Sequence, residues 1–374
     1  MPKHNRRLAA AAFGLFFLVI LGVVLWPSHR PAPRYRVTDL GTLPGCTQSE
    51  AIAVNSRGEV ILSSSSPGTL IRSAGLYQGG KLRDLGTLPG ATGARANGIN
   101  SLGDVVGNDS VDGLNRTLLY HNGKVQDLAT LVGSPYSEFM GGGIDDRGEI
   151  AGTIFKDDPI SGQSRSQMFL IRNGKMILRG VPDGYSDISA EGITAAGNIF
   201  GNCWQTPERG GNEQLFIYDT RTGKITALDL PSIYSEVRAT QGNDQGQMVG
   251  MGRTTNSFHA ILWTKKRTID LGALPNFEES MGQGINNRSE IVGTCFPQDS
   301  PVRTYLQKYF HFLRRPDSCA FVYQNGKMQN LNEMIPGDSG WVLEEARSIN
   351  DSGQIVGQGL QHGQMRAFLL TPLH

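Results

Sequence analysis

The feature that most constrains this chain is a ten-residue motif, GINNRSEIVG at Gly284 to Gly293, which occurs in seven copies. The copies align on Asn55, Asn100, Asp145, Thr194, Asn243, Asn286 and Asn350. A glycine follows three residues later in every copy except one, where Ser289 stands. Another follows seven residues later in every copy except the first, where Leu62 stands. Asn and Asp tolerate left-handed backbone and cap their own turn, while Gly takes positive φ at no steric cost. Each copy therefore reads as two short strands around a tight turn.

Two further signals follow each hairpin in the same order. The first is an apolar run, such as Leu118-Leu119-Tyr120, Ala260 to Trp263 or Ala320 to Tyr323. The second is a turn, Asn-Gly-Lys at 122–124, 173–175 and 325–327, leading into an alternating strand such as Val125-Gln-Asp-Leu128. That makes four strands per unit, and the anchors are spaced by 45, 45, 49, 49, 43 and 64 residues. A four-stranded unit of this period is a propeller blade, with a linear stack of sheets as its competitor. The chain ends decide between them. Tyr35 to Leu40 matches the fourth strand of the repeat, and Ser348 to Leu370 supplies only the first three strands of a seventh unit. The orphan strand fits the incomplete unit, which leaves no open sheet edge between the ends. The expected fold is an all-β, seven-bladed β-propeller of four-stranded blades over 35–374, closed by pairing of the N-terminal strand with the last blade. The first strand of each unit is poor in bulk (Ala51 and Ala53, Ala96 and Gly98, Gly282 and Gly284), which places it innermost, where strands converge.

Before this domain, residues 1–7 carry Lys3, Arg6 and Arg7, and Leu8 to Trp26 contain no charge. At about 1.5 Å per residue that run reaches roughly 28 Å, near the hydrocarbon thickness of a bilayer. The basic flank belongs in the cytoplasm, so the rest of the chain is sent across. The run reads as a retained transmembrane signal anchor; a cleaved signal peptide and a buried core helix are the alternatives. Residues 27–34, with three prolines and two arginines, read as a spacer. The expected location is the cell membrane, with the propeller periplasmic or extracellular, or else a secreted protein.

The composition, 39% hydrophobic and 18% charged, suits a large folded core, and the 48 glycines are turn residues. A net charge of +1 gives no overall field for nucleic acid. Of the four cysteines, Cys295 and Cys319 flank the base of an insertion in the sixth unit, which favours a disulfide in an exported protein. Cys46 and Cys203 sit three blades apart. No Cys or His spacing suggests zinc.

In its repeats the chain resembles the bacterial HAF family of extracellular repeat proteins. The residues that carry the resemblance are Gly284 to Gly293, the strands His259-Ala260-Ile261, Cys319-Ala320-Phe321 and Arg366-Ala367-Phe368, and the segments Asp39 to Leu43 and Asp84 to Leu88. It covers about 35–374. It implies an exported, propeller-like repeat protein, and no activity or catalytic residue transfers with it.

No motif of catalysis stands out. His259 occupies a repeat position held elsewhere by Cys319 and Arg366, which favours a structural role. The Asp of the fourth strand recurs at Asp39, Asp84, Asp127 and Asp270, as a turn hydrogen bond used in many blades would. Asp157-Asp158 and Glu278-Glu279 give a weak signal for calcium, against the ordinary reading of solvated loop acids. No other cofactor is implied. The long connections, after the second and fourth strands, share one face. That face carries the candidate ligand residues Trp204, Glu208, Arg253, Arg303, Tyr309, His311 and Trp341. The insertion holding Arg303, Tyr309 and His311 reads as a lid, or as a contact for a partner, a glycan or an anionic lipid head group. Three functions remain open: a membrane-tethered binding or scaffold module, an enzyme acting on an envelope polysaccharide or ester, and a purely structural protein. The partners expected are the membrane, through the N-terminal helix, and a glycan or envelope protein.

Overall fold

The computed structural model describes residues 32–67, 72–111, 113–134, 139–157, 164–181, 183–206, 213–228, 230–255, 257–297 and 318–373. The chain divides into two units, Met1–Ala32 and Pro33–His374, and the second holds all the described strands. The predicted anchor helix over 8–26 and its basic flank lie outside the described residues. So does the sixth-unit insertion.

Seven four-stranded antiparallel sheets make up the domain. Six are built from consecutive strands, over 48–84, 91–127, 139–179, 185–228, 236–270 and 279–330. The seventh takes three strands from 341–372 and its outer strand from Tyr35–Asp39, which pairs with Gln364–Pro372 from Tyr35 opposite Pro372 to Asp39 opposite Phe368. The 64-residue sixth unit contains one sheet among its described residues. The Asn-Gly turns form as read. Asn122, Asn173 and Asn325 have φ of 50°, 51° and 53°, and the glycines after them are also left-handed, which is the two-residue turn whose twist matches its strands.

Side chains alternate across each strand, so every blade offers apolar residues to both neighbours. In the third strand of the sixth blade, Ala320 and Val322 join Leu343 and Phe368 of the seventh. Cys319 and Phe321 join Val249 and Leu262 of the fifth. Seven such clusters occur, one between each pair of neighbouring blades. The cluster between the last and first blades joins Val356, Ala367 and Leu369 to Ala51, Val60 and Leu62.

Near the axis, the innermost strand of every blade carries a β-bulge at one repeat position. The pairing skips one residue: Ile52, Asn97, Gly142, Glu191, Thr240, Gln283 and Arg347. A bulge leaves its extra residue out of the ladder and re-aims it. The small residues on either side allow the blades to touch. A Cβ on Gly284 would stand 2.9 Å from the carbonyl oxygen of Arg347 in the next blade. The glycine seven residues after the anchor has a related reason. A Cβ on Gly250 would lie 1.8 Å from the Arg238 carbonyl oxygen, and one on Gly201 would lie 1.9 Å from that of Ser189.

Candidate functional site

The anchor residues hold the blades together. Asn286 Oδ1 accepts the N–H groups of Arg288 and Glu290, each at 3.0 Å. Its Nδ2 donates to Glu290 Oε2 at 2.7 Å and to the carbonyl of Asn350, the next blade's anchor, at 3.1 Å. The same links run from Asn243 to Asn286 (3.0 Å), Asn350 to Asn55 (2.9 Å), Asn55 to Asn100 (2.9 Å) and Asn100 to Asp145 (3.2 Å). Thus a belt of buried amides joins six blades, passing from the last to the first. Asp145 has no donor to continue it, and its carboxylate instead receives Arg147 at 2.8 Å. Thr194 only caps its own turn, accepting Asn198 N–H at 3.3 Å.

Inside this belt lies an axial cavity of about 270 Å³. Its mouth carries the residues that follow the anchors, among them Asp146, Asp244, Asn287 and Asp351. These also tie neighbours: Asp146 accepts Ser101 N–H at 2.7 Å, and Asp351 accepts Asn287 N–H at 2.8 Å. Deeper in, the bulged residues Asn97, Glu191 and Thr240 line the wall. Thr240 Oγ1 lies 2.7 Å from the Gly282 carbonyl, and Asn97 Nδ2 donates to that of Gly141 at 2.8 Å. Glu191 accepts the Ser189 hydroxyl at 3.2 Å. Among the described residues the lining contains four carboxylates (Asp146, Glu191, Asp244, Asp351) and no Lys, Arg or His.

The inner strands carry a second set of charges toward their other end. Arg347 pairs with Glu50 at 3.0 Å and with Glu345 at 3.1 Å, and Arg72 also bonds Glu50. Burial pushes the Glu213 carboxyl up to about 7, opposed by the amide of Asn202. That amide donates to it at 2.7 Å.

The residues singled out in the sequence are scattered. Arg253 pairs with Glu236 at 3.3 Å and lies over the Phe258 ring, 5.4 Å from its centroid. Trp204 stands opposite Glu213 on neighbouring strands of the fourth blade. Trp341 is 8% exposed and packs edge-on to Phe368 in the cluster between the sixth and seventh blades. Glu208, Arg303, Tyr309 and His311 lie outside the described residues. None of Trp204, Arg253 and Trp341 lines the axial cavity.

The expected disulfide is corrected. Cys295 and Cys319 face each other in register on adjacent strands, yet both are free thiols. Each sulfur has its own environment: Cys295 Sγ accepts Leu274 N–H at 3.4 Å, and Cys319 Sγ donates to Asn330 Oδ1 at 3.1 Å. Burial pushes them up to about 12 and about 11, respectively. Thiols held in that way are poor nucleophiles. The recurring Asp is a turn cap, as read. Asp39, Asp84, Asp127 and Asp270 each accept the N–H two residues on at 2.8 Å. Among the described residues no group of His, Cys, Asp and Glu is placed to hold a metal ion, and no helix is long and apolar enough to cross a membrane.

Sequence reasoning passed over the bulged residues. Their signal was present in the small-X-small pattern of the inner strand, as in Ala96-Asn97-Gly98, Ala190-Glu191-Gly192 and Gly282-Gln283-Gly284.

The sequence matches no protein-family profile and no curated protein. Among solved structures, an oligogalacturonate lyase from Vibrio parahaemolyticus is similar over 91% of this chain and 98% of that one, at 8% identity and a TM-score of 0.52. An oligogalacturonate lyase in complex with manganese is similar over 92% and 97%, at 11% identity and a TM-score of 0.51. TolB from Acinetobacter baumannii is 15% identical with a TM-score of 0.40 over 62% of this chain, which spans about half (52%) of its length. At these identities the likeness is one of fold alone.

Proposed function

We propose that this chain is an extracytoplasmic binding module, tethered to the membrane through residues 8–26, whose ligand enters the axial cavity of the propeller. On this reading the strand Tyr35–Asp39 closes the ring and keeps the channel's circumference constant. The HAF-like repeats support an exported location. The observation that carries the binding site is the ring of bulges. The repeat keeps the backbone of the inner strand constant from blade to blade, yet the four bulged residues that line the cavity are all different: Asn97, Gly142, Glu191 and Thr240. A scaffold needs the bulge but not this diversity, whereas recognition of an asymmetric ligand does.

The chemistry of the wall selects the ligand class. Four carboxylates without a cationic side chain repel an anion. The oligogalacturonate in the neighbours' names is a polyanion, so it is a poor fit here. A small polar ligand, neutral or cationic and about the size of a monosaccharide or amino sugar, suits the cavity better. The test is a thermal-shift series on the full-length protein in nonionic detergent with galactose, glucosamine and galacturonate. Stabilisation by galactose or glucosamine that disappears in Glu191→Gln or Thr240→Val is the expected result. Equal stabilisation by galacturonate, or no shift with any of the three, would overturn the axial-site reading and favour a purely structural propeller.

A further inference from the structure

Three side chains in the fifth blade stand in the order that acyl transfer requires. His259 Nδ1 is 2.9 Å from Asp270 Oδ2, and His259 Nε2 is 3.3 Å from Ser257 Oγ. Two adjacent strands and one turn create this arrangement. His259 lies in Phe258–Trp263, and Asp270 ends Thr268–Asp270, which pairs with it. Ser257 closes the connection between the second and third strands, on the long-loop face. It is held there by Thr254, whose Oγ1 is 3.3 Å from the Ser257 oxygen.

Part of this arrangement belongs to the repeat. In two other blades an Arg fills the place of His259 and reaches the corresponding Asp, Arg366 to Asp39 at 3.9 Å and Arg116 to Asp127 at 3.6 Å. The Asp also caps its own turn, at Gly272 N–H. A cation facing that Asp is therefore ordinary in this fold. The fifth blade differs in two ways: the cation is one that can give up its proton near neutral pH, and a hydroxyl is bonded to its far nitrogen. Neither change helps a structural ion pair, which the permanently charged Arg serves better. The imidazole is 26% exposed and the carboxylate 39%, so a substrate can reach both.

We propose that Ser257, His259 and Asp270 form a nucleophilic site for the hydrolysis of accessible carboxylic esters. Ser257 Oγ attacks the acyl carbon, and its proton passes to His259 Nε2. Collapse of the tetrahedral adduct breaks the bond to the alkoxide, which takes that proton and leaves as an alcohol. Water, deprotonated by His259, then attacks the acyl-serine, releasing the acid and restoring the hydroxyl. Ser257 and His259 are the catalytic residues, and Asp270 is a positioning residue that fixes the imidazole tautomer.

The test uses the full-length protein with diisopropyl fluorophosphate and p-nitrophenyl acetate. Labelling at Ser257, found by peptide mass mapping and absent in His259→Ala, is the expected outcome. Ser257→Ala and His259→Ala should lower ester hydrolysis by at least about 100-fold, with unchanged circular dichroism. Asp270→Asn keeps an oxygen for the Gly272 turn. It should lower kcat and shift the pH–rate profile, which a merely structural role would not do. No label at Ser257, or hydrolysis by Ser257→Ala at the wild-type rate, would overturn the proposal. Because the readout is covalent and lies on the fifth blade's outer loop, it is independent of binding in the axial cavity.

Discussion

At the scale of single residues, the anchor asparagine explains why the repeat is so regular there. An amide is the smallest side chain that can accept two turn N–H groups and still donate twice, once within the blade and once to the next. An aspartate can do only the first half. Asp145 occurs where Arg147 supplies the missing positive charge. This yields a differential expectation for Asn-to-Asp changes. Asn350→Asp leaves the Asn55 carbonyl without its donor and has Ser352 where an arginine is needed. It should lose about 1–3 kcal/mol in urea unfolding. Asn286→Asp should lose less, since Arg288 occupies the place that Arg147 has in the third blade. Equal losses would show that the second turn residue plays no part.

At the scale of the blade, the inner strand and its neighbour act as one device. The bulge pushes one residue out of the ladder, and the carbonyl two residues before it stands where a Cβ on the partner strand would be. That is why glycine recurs seven residues after the anchor. Gly250→Ala should therefore cost about 3 kcal/mol, read as a drop in the urea midpoint at unchanged slope. A neutral substitution would mean that the bulge relaxes freely. Leu62, fully buried at the matching position in the first blade, shows that one blade has found another packing. The alternation of small residues was legible in the sequence as room near an axis. The bulge between them was not, because period-2 alternation and a one-residue insertion cannot be distinguished until the partner strand is in place. The Cys295–Cys319 pair was misread for a related reason. Adjacency in register was legible, but the local partners that hold each sulfur were not.

At the scale of the whole molecule, the ends of the chain meet in one sheet. Tyr35 is buried with Trp341, Leu343 and Phe368, and Arg34 N–H donates to the carbonyl of Met334 at 2.8 Å. Removing residues 35–39 would expose the edge of Gln364–Pro372 and uncover part of that cluster. The expected outcome is a lower thermal midpoint together with concentration-dependent association, measured by scanning calorimetry and light scattering. A shortened chain that stayed monomeric at the original midpoint would show that the amide belt and the apolar interfaces hold the ring without the shared sheet.

The sequence by itself determined the number of blades, the strand count of each and the residues of the anchor and Asn-Gly turns, because these depend on local backbone preferences repeated at a fixed period. Only the tertiary structure decided which side chains face the axis, which thiols stay apart and which serine meets a histidine. Those outcomes depend on strands brought together from different parts of a unit or from neighbouring units. The bulged residues show the difference most clearly. Each lies one position from a residue that the pattern marks, yet its orientation is set by a partner strand and by the blade beyond it.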